Sequence, residues 1–295
     1  MTLREALEEY KSIYMPSRNL AERTRIEYVN DLLDLVNSLE EVGKQRVEDV
    51  SLRDLEWYLA QLDRKGIAGS TRKRKTISIR SLFSFLQGSG YVSYNVSQKL
   101  ILPIVESRIP RFLSQTEYKR LLATCDQNAR DTAIIEVLLQ TGIRLSELTH
   151  LRLADIELPD DISGVEKGIG LLRVVGKHLR SERTIPLNHK VCKALMAYFD
   201  VRTEGDWEAL FVNKWGKRLG SRGVQKLIQY YYQKAGIERA KVNTLRHTFG
   251  IQHVIKGTSL KTIQEVMGHK DSRTTQLYVV AAQEVMRKEL QQHAL

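Results

Sequence analysis

Toward its C-terminal end the chain carries Gly268-His269 and, nine residues after the histidine, Tyr278. Upstream stand Arg246-His247 and the octet Thr141-Gly142-Ile143-Arg144-Leu145-Ser146-Glu147-Leu148. Two arginines, a histidine and a late tyrosine suit the opening of a phosphodiester with neither a metal nor a water molecule as the attacking agent. A phenol of pKa about 10 is a poor nucleophile at neutral pH, so Tyr278 needs help losing its proton and a phosphate made electrophilic. Arg144 and Arg246 can each offer a planar fork of hydrogen bonds to non-bridging oxygens. Those bonds strengthen as charge builds in the transition state, which is where binding energy raises a rate. Two arginines can so replace the metal pair of many nucleases, and neither a metal nor a cofactor is expected. His269 would add a further hydrogen bond to the phosphate. Glu147, three residues after Arg144 on a helix face, is placed to orient that arginine.

These side chains need a scaffold, and the first hundred positions read as helices. Leu3 to Met15 follows Thr2, a suitable N-cap. Glu22 to Leu39 spaces Ile26, Val29, Leu32, Leu33, Val36 and Leu39 helically. Ser51 and Asp54 form a capping-box pattern ahead of Leu52, Leu55, Tyr58, Leu59 and Leu62. A fourth helix, Ser70 to Leu86, is basic in its first half and apolar in its second (Ile79, Leu82, Phe83, Leu86). Anchored by the apolar half, it could present Arg72, Lys73, Arg74, Lys75 and Arg80 to phosphates or to a major groove. The plainer alternative is a solvated helix face.

Leu100 to Arg111 contains Pro103 and Pro110 without helical period and reads as a linker. Domains are therefore expected at 1–99 and 112–295, joined by 100–111. The second opens on a Ser114/Glu117 capping box, continues with a helix from Asp131 to Gln140, and then turns strand-like at Ala154–Leu158, Gly170–Val175 and Arg183–Leu187. Helices resume at Lys190. The expected fold is mainly α with a small antiparallel β-sheet in the second domain.

Forty-six basic against 35 acidic residues, a net charge of +11, favour a polyanionic partner. The distribution says more. Arg64 to Val105 holds eight Lys or Arg and no acid, and Lys167 to Lys193 holds seven against Glu182 alone. Two one-sided stretches in separate parts of the chain suit a two-sided grip on nucleic acid. No apolar run approaches the ~18 residues that span a bilayer, since the longest is interrupted by Glu136 and Gln140. The opening Met-Thr-Leu-Arg-Glu-Ala has no apolar signal region. Cys125 and Cys192 lack metal spacing and read as buried thiols of a reducing compartment, so a cytoplasmic, nucleoid-associated location is expected.

Thr141 to Leu148, Val175-Gly-Lys-His-Leu-Arg-Ser-Glu-Arg-Thr-Ile-Pro-Leu187, Thr244-Leu-Arg-His-Thr-Phe249, Met267-Gly-His, Thr274-Thr275 and Tyr278 together resemble the tyrosine recombinases, that is, the phage-type integrases and Xer-type resolvases. The resemblance spans Phe112 to about Ala282 and extends more weakly over the N-terminal helices, which look like that family's SAM-like core-binding domain. It implies an α+β catalytic domain and site-specific cleavage and rejoining of double-stranded DNA through a 3′-phosphotyrosine and a free 5′-hydroxyl, without ATP. By the resemblance Lys177 is the general acid for the leaving 5′-oxygen. It also implies dimers and a synaptic tetramer on DNA, with the tail Ala282 to Leu295, read as a short helix after the nucleophile, docking on a neighbouring subunit or else packing on its own.

One position departs from the family pattern. Asn243 holds the slot usually taken by a histidine thought to assist proton transfer. Asparagine can donate a hydrogen bond but cannot carry a proton near pH 7, which predicts retained, slower catalysis. Alternatively Asn243 caps a helix starting at Thr244. His247 is expected to face the helix interior or a neighbour, in a supporting role. Two rivals stay open: a catalytically weakened architectural DNA-binding protein of the same fold, and a type IB topoisomerase-like relaxer.

Overall fold

A computed structural model describes residues 1–105, 109–159, 170–176, 182–269 and 271–292. The chain divides into two compact units, Met1–Ser107 and Arg108–Leu295.

Among its described residues the first unit is helical. Helix α1, Leu3–Glu9, starts on a reciprocal Thr2/Glu5 capping box and runs on through a π turn, Tyr10–Tyr14. Helix α2 is Glu22–Glu41, α3 is Leu52–Arg64 behind the Ser51/Asp54 capping box, and α4 is Gly69–Gly88. Each such cap satisfies otherwise orphaned N–H groups and contributes about 1 kcal/mol. Leu32, Leu35, Leu39, Leu55, Ile79, Leu82 and Phe83 meet in the core.

In the second unit α5, Gln115–Cys125, follows the Ser114/Glu117 capping box. Helix α6, Ala129–Thr141, is apolar on nearly every side and is the buried centre of the unit. It stops at Gly142, whose φ of 60° is left-handed, and the chain re-enters a one-turn helix, α7, Leu145–Leu148. The strands β1 (Ile156–Glu157), β2 (Gly170–Val175) and β3 (Glu182–Leu187) form an antiparallel sheet in that order. Leu172 pairs with Ile156 on one side and with Ile185 on the other. Strand β1 is shorter than the expected Ala154 to Leu158 because Leu153–Asp155 closes a 3-10 turn, in which the Asp155 carboxylate accepts from the Arg152 N–H at 2.9 Å. Helices α8 (His189–Asp200), α9 (Ser221–Lys234), α10 (Val242–Ile255), α11 (Leu260–Met267) and α12 (Ser272–Gln292) complete the unit. The tail expected as a separate helix is the continuation of the helix that carries Tyr278, with Met286 and Leu290 exposed on it.

Among the described residues no helix is long and apolar enough to cross a membrane. Cys125 and Cys192 are both buried, and desolvation pushes the Cys125 thiol up to about 11.

Candidate active site

The turn between α6 and α7 fixes the first arginine. A side chain at Gly142 would be strained by its left-handed φ, and its Cβ would lie 2.4 Å from the Phe249 ring. Glycine there lets α10 approach closely enough for Arg246 to donate from Nη1 to the Gly142 carbonyl. Arg246 is 6% exposed and its Nη2 donates to the Met267 carbonyl at 2.8 Å. Arg144 begins α7 and donates to the Gly268 carbonyl. Both guanidiniums therefore tie the α6–α7 turn to the end of α11, and main-chain oxygens hold their planes. The Arg144 side chain stays 41% exposed, so part of its fork faces solvent.

Glu147 orients Arg144, as its spacing suggests. Its Oε1 accepts from Arg144 Nη1 at 3.0 Å and its Oε2 from the Arg144 main-chain N–H at 2.8 Å. A third arginine, absent from the sequence-based set, completes the cluster. Arg183 on β3 donates Nη1 to Glu147 Oε1 at 3.1 Å and Nη2 to Oε2 at 2.9 Å, with Nε on the Val266 carbonyl. Burial opposes Glu147 ionisation, but the Arg183 bonds and the Arg144 N–H prevail and hold it below the usual carboxylate range. Three guanidiniums around one carboxylate leave an excess of positive charge in a partly desolvated pocket, suited to an anion with several oxygens. Burial, and then Arg144, push Arg246 down to about 10, so it remains charged at neutral pH.

His269 follows Gly268 at the end of α11, with Nδ1 2.9 Å from the Thr275 hydroxyl on α12. Desolvation, then Arg246 and Arg144, push it down to about 4, so the ring is neutral near pH 7. Tyr278, two turns into α12, is 1% exposed, and its ring lies against the backbone of α10, where a Cβ on Gly250 would fall 2.4 Å from Cε2. Burial raises its pKa, opposed by Arg246 and Arg144. Its hydroxyl is 3.1 Å from Nδ1 of His247. His247 thus meets the tyrosine directly, on a helix position fixed by the neighbouring Arg246.

Asn243 is the second residue of α10 and is exposed. The helix begins at Val242, and the Lys241 N–H donates to Thr244 Oγ1 at 3.0 Å, so the capping role considered for Asn243 does not hold. Lys177 lies outside the described residues. The structure thus brings Arg144, Arg183, Arg246, Glu147, His247, His269 and Tyr278 together. Strand periodicity could have pointed to Arg183, because Arg183, Ile185 and Leu187 share one face of β3 and the last two are buried. A charge on that face requires an acidic partner.

The basic half of α4 is arranged differently from expectation. Lys75 is buried, with Nζ 2.8 Å from Asp34, 3.4 Å from Asp31 and 3.3 Å from the Tyr58 hydroxyl. Arg74 pairs with Asp31 and with Glu27 at 3.1 Å, and Arg72 pairs with Asp63 at 2.9 Å. Arg80 donates to the Leu100 carbonyl. For Arg74 and Lys75 the cause is α2, whose acids at 27, 31 and 34 line the face that packs on α4, and for Arg72 it is Asp63 at the end of α3. Lys75 is thus an internal tie and not an outward contact, while Lys73 is exposed.

Residues 111–284 match the model of the phage integrase family. The chain belongs to that family, the tyrosine recombinases. Residues 7–90 match the phage integrase N-terminal SAM-like domain. The tyrosine recombinase XerC of Herpetosiphon aurantiacus is 32% identical over 287 residues, covering 94% of this chain and 90% of that one. Two solved structures share the fold. One is XerH site-specific recombinase bound to palindromic difH substrate, a post-cleavage complex (TM-score 0.76, 20% identity, 96% of this chain and 83% of that one). The other is a lambda integrase dimer bound to a COC′ core site (TM-score 0.75, 19% identity, 92% and 96%).

Proposed function

We propose that this protein is a site-specific DNA recombinase in which Tyr278 attacks the scissile phosphate. The single observation that carries this reading is the hydroxyl of a late tyrosine enclosed with Arg144, Arg246 and His269 in one positively charged pocket. Arg144 and Arg246 receive the non-bridging oxygens, His269 donates from Nε2 while its Nδ1 accepts from Thr275, and Glu147 and Arg183 hold Arg144 in plane. The phenol oxygen bonds to phosphorus as the bond to the 5′-oxygen breaks. That oxygen leaves with a proton from Lys177, the role read for it by resemblance. The 3′-phosphotyrosine keeps the bond energy, so a 5′-hydroxyl from a partner duplex reseals it. The exposed face of α4 that includes Lys73, and the basic run around Lys177, contact backbone phosphates. Two domains, 1–99 and 112–295, joined by the 100–111 linker, each contact the duplex. Protomers assemble as dimers and as a tetramer at the synapse, with Met286 and Leu290 of α12 covered by a neighbouring subunit. The substrate is cellular DNA, which puts the protein at the nucleoid.

Covalent capture tests this. Lightly nicked fragments of source DNA are incubated with the protein and denatured, and attached DNA is sequenced beside a Tyr278→Phe control. DNA enriched with the wild type and absent with the control supports strand transfer and reveals the site. Tight, sequence-specific binding with no capture would make the protein architectural.

A further inference from the structure

The tyrosine must lose a proton, and Asn243 has no group that can take one near neutral pH. We propose that His247 is a catalytic residue, the general base that accepts the Tyr278 proton during cleavage and returns it on resealing. This rests on the strand-transfer reading above and adds the proton acceptor to it.

Three observations converge. The Nδ1 atom of His247 is 3.1 Å from the Tyr278 hydroxyl, within the reach required of a general base. The hydroxyl is held there by packing as well as by that bond, because the phenol ring rests on the bare backbone of Gly250, one turn along from His247 on α10. The ring of His247 is neutral. Desolvation and Arg246 push it down to about 4, so at pH 7 Nδ1 has a lone pair for the phenol proton when Nε2 carries the ring hydrogen.

The surrounding charges explain when transfer occurs. His247 faces Tyr278 on α12 and adjoins Arg246 on its own helix; His269 beyond α11, Arg144 on α7 and Arg183 on β3 lie in the same field. In the free chain burial and, of the guanidiniums, Arg246 disfavour an imidazolium at His247, so the phenol stays protonated. A phosphate seated among them offsets their charge, raises the basicity of His247 and supplies the electrophile at the same moment. The Oη–H bond of Tyr278 then breaks toward Nδ1 as Oη bonds to phosphorus, and the 5′-oxygen departs with a proton from the general acid. On resealing, the attacking 5′-hydroxyl gives its proton back to the deprotonated general acid, and the imidazolium returns its own to the departing tyrosine oxygen. Every proton is conserved over the cycle.

The test is single-turnover cleavage of a nicked duplex carrying the captured site, comparing wild type with His247→Asn from pH 6 to 9. Asparagine sets an oxygen near the Nδ1 position and can accept a hydrogen bond but no proton. With DNA affinity unchanged, cleavage at pH 7 is expected to fall about 10²-fold. Its rate should then climb about tenfold per pH unit, because attack now waits on free tyrosinate, while the wild type stays nearly level. A His247→Ala variant rescued by added imidazole would support the same role without relying on the asparagine geometry. A rate within threefold of wild type, a lowered rate with the wild-type pH profile, or faster cleavage, which would make His247 a latch that stores the tyrosine, each overturns the proposal. Absence of any covalent product from the wild type would instead fault the strand-transfer reading itself.

Discussion

Replacing Arg183 by alanine removes two charge-assisted bonds to Glu147, at 3.1 and 2.9 Å, and one bond to the Val266 carbonyl. The Glu147 side chain is 9% exposed and that of Arg183 13%, so solvent screens the pair weakly. Leaving a buried charge without its partner costs about 3–5 kcal/mol. Glu147 keeps its bonds from the Arg144 side chain and main chain, which brings the expectation down to about 2–3 kcal/mol for Arg183→Ala. Arg183→Lys keeps the charge but not the two-pronged geometry and should cost about 1 kcal/mol. Arg183→Ala with Glu147→Gln should be less destabilised than the two single variants added together, because the stranded charge is gone. The assay is native-state hydrogen exchange read on peptides of α6 and α10, which isolates the second unit from the first. Single-turnover cleavage is measured alongside and should fall in Arg183→Ala, since Glu147 then relies on Arg144 alone. A loss of stability below about 0.5 kcal/mol would refute the picture of a buried carboxylate held by four donated hydrogen bonds.

Gly250→Ala places a methyl group 2.4 Å from Cε2 of Tyr278. Displacing the ring should slow cleavage about 10²-fold, while about 1 kcal/mol of helix propensity offsets part of an overpacking cost of about 1–3 kcal/mol; wild-type cleavage would show that the ring position is immaterial. His247 and His269 both titrate near 4 when folded, below the unfolded value of 6.5, so the unfolded chain takes up protons first as pH falls. Their stability is complete above about 6.5 and lost toward pH 4, roughly 2 kcal/mol each after allowance for solvent screening. Urea midpoints should drop from pH 7 to 5, and less so in His269→Asn; an equal drop would remove His269 from the account. Cys125, buried and raised to about 11, should resist iodoacetamide at pH 8 until the protein is unfolded, and rapid native labelling would contradict its burial. Asn243→His should raise the cleavage rate a fewfold by offering a second base, and no change would mean proton transfer is not limited there.

Local signals carried the secondary structure well. Thr2 as an N-cap and the Ser51/Asp54 and Ser114/Glu117 capping boxes are short-range patterns, and each does begin a helix. The strand expected at Gly170 to Val175 forms, and it alternates buried and exposed even though Leu171 and Val175 on its exposed face are apolar. Where the reading failed, a distant partner was responsible. Arg72, Arg74 and Lys75 look like an outward basic face only while the acids of α2 and Asp63 of α3 are ignored, and Asp31 reaches Lys75 across 44 positions of sequence.

The sequence alone determined which chemistry is possible, because residue types and their order limit what a pocket can do: two arginines, a histidine and a tyrosine of the phage integrase family. Only the tertiary structure decided which groups meet. The third arginine, bonded to Glu147 from a separate strand, and the contact of His247 with Tyr278 both arise from packing between elements far apart in the chain. Periodicity gives the face a side chain points toward. What stands on the far side of that face depends on how α10 closes on α6 and α12, and that is set by the fit of whole surfaces, down to a missing methyl at Gly142 and at Gly250.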